Sequence, residues 1–438
     1  MEKILGWGVV MTELTRTVFE TSRLLEFFTK SELSMQMGQS EPWWKIVTIK
    51  ELIDNALDAC ENAGVAPKIG VEVDPTYTTV TDNAGGIPDA VIRSSLDYMV
   101  RASDKSNYVS PTRGQLGNAL KCIYAAPYVL SGEIGRVRIE TRGVSYDLTI
   151  ALDRIAQAPA MTLDEGTAQG NCTKVRIEWP NSASLISAYG VLTEREIVQA
   201  FAMLNPHAEF TLNGEVWKPT LNEWGKWKPN NPTSPYWYTP ELLRNLIAAY
   251  LTVERKNGQP RTVRELVAEF RGLSRTATQK KVTEDAGLHG AMLSDLVKDG
   301  DIALPPVERL LSVMKEQSKP INPKLLGIIG KEHITVRMVA DHGVEEGSVK
   351  YFRKVGDDPL EPYVLEIAFG LYRKEFEERY QTLITGLNWS PTMRIPIHEI
   401  SLALQEMRVD SIDPVCVVVH IAKPHFEFTE RGKGHANV

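Results

Sequence analysis

Residues 45–63 read KIVTIKELIDNALDACENA, and this stretch decides the fold. Apolar side chains recur at Val47, Ile49, Leu52, Ile53, Ala56, Leu57 and Cys60, the spacing of a helix with one buried stripe. Gly64 and Pro67 end it. On its polar side Glu51, Asn55 and Asp58 lie roughly one turn apart, so a carboxylate, an amide and a second carboxylate project together. Alone, that pattern is an ordinary solvated face. Downstream, KIGVEVD (68–74) alternates Ile69, Val71 and Val73 as a half-buried strand, and YTTVTD (77–82) is a second strand stopped by Asn83-Ala84-Gly85-Gly86. Residues 88–130 read as helical around a polar loop, SDKSNYVSPTRGQLGN (103–118). Strands resume at RVRIET (136–141), VSYDLTIAL (144–152) and TKVRIEW (173–179), and EFTLNGEVW (209–217) reads as a hairpin turning on Asn213-Gly214. A helix followed by mostly antiparallel strands predicts an α+β sandwich of one sheet and a helical layer.

Farther along, KPTLNEWGKWKPNNPTSPYWY (218–238) reads as a linker because of its Pro and Asn content. Residues 240–315 look helical throughout. From about 325 the pattern is mixed again, with strand YVLEIAFG (363–370), helix IHEISLALQEM (397–407) and strand VCVVVHIA (415–422). The expected division is an N-terminal arm (1–20), a first α+β unit (21–218), a helical unit (230–318) and a second α+β unit (325–438). No internal repeat or low-complexity tract is visible.

Composition narrows the function classes. The 438 residues are 43% hydrophobic and 24% charged, which is ample for real cores and excludes wholesale disorder. Lys plus Arg total 49 against 56 for Asp plus Glu, a net charge of −7, so nucleic acid could bind only through a local basic patch. The four cysteines, at 60, 122, 172 and 416, form no CxxC pair; a disulfide scaffold or structural zinc is not expected, and a reducing compartment fits. No apolar run approaches the ~20 residues of a membrane span. The opening MEKILGWGVVM has no basic n-region or cleavage site, and Met11 is a possible alternative start. Cytoplasmic location is the expectation.

Three further motifs follow the 45–63 helix. Asp82-Asn83-Ala84-Gly85-Gly86-Ile87 puts an acid at a strand end before a glycine turn, where backbone can approach a ligand closely. Arg113-Gly114-Gln115-Leu116-Gly117-Asn118-Ala119-Leu120-Lys121 runs a glycine-rich loop into a helix, a junction whose N–H groups bind phosphate. Gly170-Asn171-Cys172-Thr173 opens a late strand. Each is weak singly. Their order and spacing resemble the GHKL (Bergerat-fold) ATPases, which include the gyrase B protein, MutL, the Hsp90-type chaperones and sensor histidine kinases. Within that family the chain is most similar to the B subunits of DNA topoisomerase VI. It shares their ELxxNxLDA helix, RGQxG lid and Asn205-Pro206-His207-Ala208 segment. RTVRELVAEFRGLSRTATQKKVTEDAGL (261–288) and GIIGKEHI (327–334) stand where their helix–two-turns–helix domain and its exit stand, ahead of a transducer domain.

The resemblance implies ATP and Mg²⁺ as cofactors. Glu51 matches the general base that activates the attacking water, and Asn55 the amide ligand of Mg²⁺. Asp82 matches the acceptor of the adenine amino group, Gly86 lets the base sit close, and Thr173 is the late threonine near it. Asp58, Ser103, Lys105 and Arg113 through Lys121 complete the expected ATP-binding set. The lid's third glycine is Ala119 here, which implies stiffer closure. The family's transducer lysine, which reaches the γ-phosphate, falls on Lys423 in HIAKPHFEFTERGKG (420–434), with His425 and Lys433 as alternatives.

The implied function is an ATP-operated clamp that closes into a homodimer and acts on DNA within a larger assembly, with a Toprim-containing A-like partner. No tyrosine nucleophile with an acidic metal cluster is evident, so DNA cleavage by this chain alone is not expected. The family's B subunits continue as a long helix that grips the partner, whereas this chain stops at Val438, which favours the alternative that follows. A stand-alone remodelling ATPase like MutL or a chaperone, or a non-hydrolysing nucleotide scaffold, is the alternative. A sensor kinase is set aside because residues 1–44 hold no histidine. From Arg255 to Lys281 eight basic residues face only Glu265 and Glu269, a net of +6. Arg271, Arg275, Lys280 and Lys281 are the candidate DNA contacts; a solvated helix face is the plainer reading.

Overall fold

A computed structural model describes residues 27–98, 107–113, 119–153, 155, 158–180, 191–376, 378–393, 395, 398–406, 408–410, 412–428 and 436–437. The expected N-terminal arm lies outside the described residues. The chain runs through α1 (Lys30–Met37), α2 (Trp44–Ala63), β1 (Lys68–Val73), β2 (Tyr77–Thr81), α3 (Asp89–Ser95), α4 (Ala119–Ser131), β3 (Gly135–Thr141), β4 (Val144–Asp153), β5 (Ala158–Thr167), β6 (Lys174–Glu178), α5 (Glu194–Leu204), β7 (Glu209–Leu212) and β8 (Glu215–Trp217). The eight strands form one sheet in the order β5-β4-β3-β6-β2-β1-β7-β8. Its pairs are antiparallel except β1 with β7.

α2, α4 and α5 pack together, and their buried apolar residues share one core with those of the sheet. All seven apolar positions of the α2 stripe are buried there. The Val, Ile and Leu side chains among them each contribute roughly 1.5–3 kcal/mol when taken out of water, which outweighs the β-branched residues that lower the helix propensity of α2. Gly64 ends the helix at φ +69°, its N–H bonding to Cys60 and Glu61 carbonyls, a left-handed cap that favours glycine. The predicted hairpin turns at Asn213 (φ 47°) and Gly214 (φ 92°). Among the elements that escape the sequence reading in this unit are α1, β5 and α5. β5 is an edge strand with little burial and hence no hydrophobic alternation. α5 carries a legible start signal, the Thr193–Glu196 capping box.

The remaining elements are α6 (Pro240–Asn257), α7 (Val263–Ala268), α8 (Thr276–Asp285), β9 (Val297–Lys298), β10 (Asp301–Ile302), α9 (Leu304–Glu316), α10 (Lys331–His342), β11 (Lys350–Gly356), β12 (Tyr363–Leu371), β13 (Thr382–Leu387), β14 (Ser390–Pro391), α11 (His398–Glu406), β15 (Val415–Ala422), β16 (Glu427–Phe428) and β17 (Ala436–Asn437). A second sheet runs β11-β12-β15-β13-β14. The 240–315 region is not helical throughout, because β9 and β10 form a two-stranded ribbon before α9.

The 218–238 stretch does not behave as a linker. Trp227 and Trp237 are 1% exposed with ring centroids 4.8 Å apart and planes tilted by 58°, and Tyr238 is fully buried. They share a core with α6–α9, Val109, and Val364, Trp389 and Ala422 of the second sheet region. Proline and asparagine break regular structure here, but large aromatic surfaces still drive burial of the segment. The fold class is α+β.

Candidate functional site

α2 presents two of the expected side chains outward: Glu51 is half-buried and Asn55 exposed. Asp82 sits just past β2, 7% exposed. Its N–H donates to the Thr173 carbonyl (2.9 Å), and its Oδ1 accepts from the N–H groups of Ala84 (2.8 Å) and Thr173 (3.4 Å). Asp82 and Thr173, 91 residues apart in sequence, therefore meet through the antiparallel pairing of β2 with β6. Burial pushes the Asp82 carboxyl up, against the backbone donors that pull it down.

The glycine turn is stitched to its neighbours. Asn83 Oδ1 accepts from the Lys68 N–H (2.9 Å) and the Cys60 thiol (3.2 Å), tying the turn to the end of α2. Ile87 N–H donates to Thr141 Oγ1 (2.8 Å) and Arg142 Nε to the Gly85 carbonyl (3.1 Å). Gly86 has φ +78°, and a Cβ there would lie 2.5 Å from the Asn171 carbonyl oxygen. No other residue fits that space without moving backbone.

Other expected residues are placed elsewhere. Arg113 has a fully buried guanidinium bonded to Asp58 (2.9 Å), bidentate to Glu61 (2.9 Å each) and to Asn205 Oδ1. Arg113 and Asp58 thus neutralise each other. Lys121 is buried, its ammonium donating to the Asp97 carbonyl beside the Tyr98 ring. Lys423 is 7% exposed; its N–H donates to Asn388 Oδ1 (3.0 Å), and its ammonium lies 3.7 Å from Glu361. His425 is half-buried, and Ala119 opens α4. Ser103, Lys105, Gly114, Gln115, Leu116, Gly117, Asn118 and Lys433 lie outside the described residues.

Sequence reasoning missed an ionic cluster built from three regions. α2 carries an acidic series, Asp54, Asp58 and Glu61, all 2–5% exposed. Glu61 also accepts from Lys226 (2.6 Å) and His207 (3.1 Å). The Lys226 ammonium sits 3.8 Å above the Trp389 ring. Burial alone raises the Glu61 carboxyl, but the charges of Arg113 and Lys226 overcome it and hold the group well below the usual carboxylate range. Burial and the Arg113 charge bring Lys226 down to about 8. The only sequence signal was three acids one turn apart, Asp54, Asp58 and Glu61, and that spacing by itself does not distinguish a buried cluster from a solvated face.

The four candidate DNA contacts, Arg271, Arg275, Lys280 and Lys281, are all exposed around α8. Arg271 lies 5.6 Å from the Trp227 ring and Lys280 3.6 Å from Glu284. Elsewhere in the basic segment, Arg261 is paired with Glu269 and Arg264 bonds Gln279 (3.2 Å). Among the described residues no group of three or more His, Cys, Asp or Glu is arranged to hold a metal, and no helix is long and apolar enough to cross a membrane.

No family model matches the chain. It is similar to the B subunit of type 2 DNA topoisomerase 6 of Methanosarcina mazei, at 30% identity over 196 residues, covering 43% of this chain and 31% of that protein. The protein of the same name from Thermococcus onnurineus is 24% identical over 290 residues, 61% of this chain and 50% of the relative. The chain therefore spans a third to a half of the length of these relatives. The ATPase region of Saccharomyces cerevisiae topoisomerase II aligns over 90% of this chain and 77% of its own, at 11% identity and a TM-score of 0.38, too distant to support a statement about this protein. Over the matched residues the chain, whose fold class is α+β, is similar in sequence to the B subunits of type 2 DNA topoisomerase 6.

Proposed function

We propose that this chain is a Mg²⁺-dependent ATPase that closes as a dimeric clamp and acts on DNA within a larger assembly. The observation that carries the reading is the meeting of Asp82 and Thr173 at the end of β2, on the sheet that α2 packs across with Glu51 and Asn55 turned outward. Asp82 would accept from the adenine amino group, Glu51 would orient and deprotonate the attacking water, and Asn55 would supply one oxygen to the metal. The residues fit that group: one neutral amide suits a hard cation that keeps water and phosphate oxygens as its other ligands. Bound with ATP, Mg²⁺ supplies charge neutralisation across the phosphates.

The relatives' name supports DNA as the substrate, with a Toprim-containing A-like protein as the candidate partner. The clamp is tested by light scattering with a non-hydrolysable ATP analogue, with ADP and without nucleotide. Only the analogue should give a compact dimer, because a ligand with no preference between states shifts nothing. Asp82→Asn should weaken analogue binding by calorimetry and raise the concentration needed for dimerisation. Identical mass and shape in all three conditions would reject the clamp, and an unchanged affinity would remove Asp82 from the site.

The DNA reading predicts that charge reversal at Arg271, Arg275, Lys280 and Lys281 weakens binding and flattens its salt dependence. Each lost phosphate contact removes about 0.9 from the log–log slope. Fluorescence anisotropy across a salt series measures both. A wild-type protein without DNA affinity at low salt leaves the patch as a solvated face.

A further inference from the structure

We propose that Lys50 is a positioning residue for the Glu51 carboxylate, and that Ser390, on the hairpin between β13 and β14, sets Lys50 through Asp54. The inference rests on the reading of Glu51 as the base and adds the element that governs it. The Lys50 ammonium donates to Glu51 Oε1 (3.2 Å) and to Asp54 Oδ2 (2.9 Å). Asp54 Oδ2 also accepts from Ser390 Oγ (2.7 Å), across 336 residues of sequence. The series Ser390–Asp54–Lys50–Glu51 therefore runs from the second sheet to the outward face of α2.

Burial makes this series more than a surface contact. Asp54 is 2% and Ser390 7% exposed, and the side chains of Lys50 and Glu51 are only 12% and 16% exposed. Asp54 Oδ1 has no hydrogen-bond partner among the described residues; the Arg113 Nε, also without a hydrogen-bond partner there, lies 3.9 Å from it. Burial and the Glu51 charge push the Asp54 carboxyl up, against the charges of Lys50 and Arg113, and its hydrogen bonds come from Lys50 and Ser390. Cys122, on the neighbouring α4, feels the Glu51 charge; burial and that charge push its thiol up to about 12, so it stays neutral and does not compete for the ammonium.

The hairpin is held so that a shift in the second sheet reaches Ser390. Asn388 (φ 46°) and Trp389 (φ 65°) form its tip, and Leu387 pairs with Ser390. The tip is bonded on both sides. Asn388 Oδ1 accepts from the N–H of Lys423, beside the end of β15, and the Trp389 carbonyl accepts from Asn205 Nδ2 (2.9 Å), beyond the end of α5. When Ser390 withdraws, Asp54 loses its hydroxyl donor and draws the shared ammonium off Glu51. The base then keeps its charge but loses the Lys50 hydrogen bond. In the engaged hairpin the base is aimed, so hydrolysis is tied to the position of the second sheet relative to α2.

The test uses the full chain. Ser390→Ala and Lys50→Met should each lower kcat about tenfold, the scale of one charge-assisted hydrogen bond, with the dissociation constant of the ATP analogue within about twofold of wild type. Ser390→Thr, which keeps the hydroxyl, should retain turnover. In a Lys50→Met background, Ser390→Ala should have no further effect, because both act through one ammonium. In nucleotide-free protein labelled with ¹⁵N-lysine, the Lys50 ammonium resonance, assigned with Lys50→Met, should move on Ser390→Ala. Additive losses in kcat, an unmoved resonance, or a loss of nucleotide affinity as large as the loss of kcat would overturn the relay. A wild-type chain with no Glu51-dependent turnover removes the base assignment and the relay together; turnover that depends on Glu51 but not on Ser390 removes the relay alone.

Discussion

Replacing Glu51 with alanine should abolish ATP turnover while leaving ATP bound. A positioned general base contributes roughly 10²–10⁴ in rate, and the side chain is needed for the attacking water rather than for the adenine or the phosphates. The geometry separates the two roles: Asp82 is anchored past β2 by backbone N–H groups, whereas Glu51 projects from α2 beside Lys50. The expected outcome is a kcat below about 1% of wild type, with the analogue dissociation constant changed by less than about threefold. Glu51→Gln should behave the same way, because the amide matches the carboxylate in shape but cannot take the proton. Phosphate release measured against calorimetric affinity gives the comparison. Wild-type turnover in either variant would end the assignment of Glu51 as base.

The second large effect concerns stability. Arg113→Met should destabilise the protein by about 3–5 kcal/mol, the usual result of removing one partner from a buried ionic cluster. The guanidinium is fully buried and serves Asp58, Glu61 and Asn205. Methionine would fill much of the volume but remove the cation that Asp58 and Glu61 share. That loss is a large part of the ~5–15 kcal/mol available to a folded domain, so recovery in the insoluble fraction is the expected extreme. The urea midpoint of the first unfolding transition, or soluble yield where no transition can be measured, is the readout. The cluster also has a definite acid response. The Glu61 carboxyl is held below its unfolded value, so its contribution is present at neutral pH and lost as pH falls through the folded-state pKa. A variant within about 0.5 kcal/mol of wild type would show that the cluster does not hold the structure together.

The contrast between Glu51 and Arg113 shows where sequence reasoning reaches and where it stops. Both belong to the motif series that carries the family resemblance, and both are expected at the nucleotide. Glu51 and Asn55 face outward as their helical spacing implies. Arg113 and Asp58 instead face inward and neutralise each other. On a helix advancing about 100° per residue, Asp54 and Glu61 sit closer to the apolar stripe than Glu51 and Asn55, but Asp58 lies farther from it than Asn55. The burial of Asp58 comes from Arg113 covering it, and a wheel drawn without partners does not show which side is covered. The 218–238 stretch departs from its linker reading for a related reason. Its Pro and Asn content limits regular structure to one 3₁₀ turn, Pro235–Trp237, and the burial of Trp227, Trp237 and Lys226 depends on surfaces supplied by α6–α9, Trp389 and Glu61.

The sequence by itself determined the features whose causes are local. The bounds of α2 follow from apolar period and the Gly64 cap, the hairpin at Asn213-Gly214 follows from residues that tolerate positive φ, and Gly86 follows from the close turn after Asp82. These depend on backbone sterics and on neighbours a few residues away. Only the tertiary structure decided which polar groups meet. Thr173 reaches Asp82 across 91 residues, Asn205 reaches Arg113 across 92, and Ser390 reaches Asp54 across 336. The Asn388–Trp389 turn adopts positive φ without a glycine, at a steric cost that its burial against Lys226, Trp224 and Asn205 offsets. Polar groups far apart in the chain carry no mark of their partners, because a buried charge is tolerated only where folding brings its counterion.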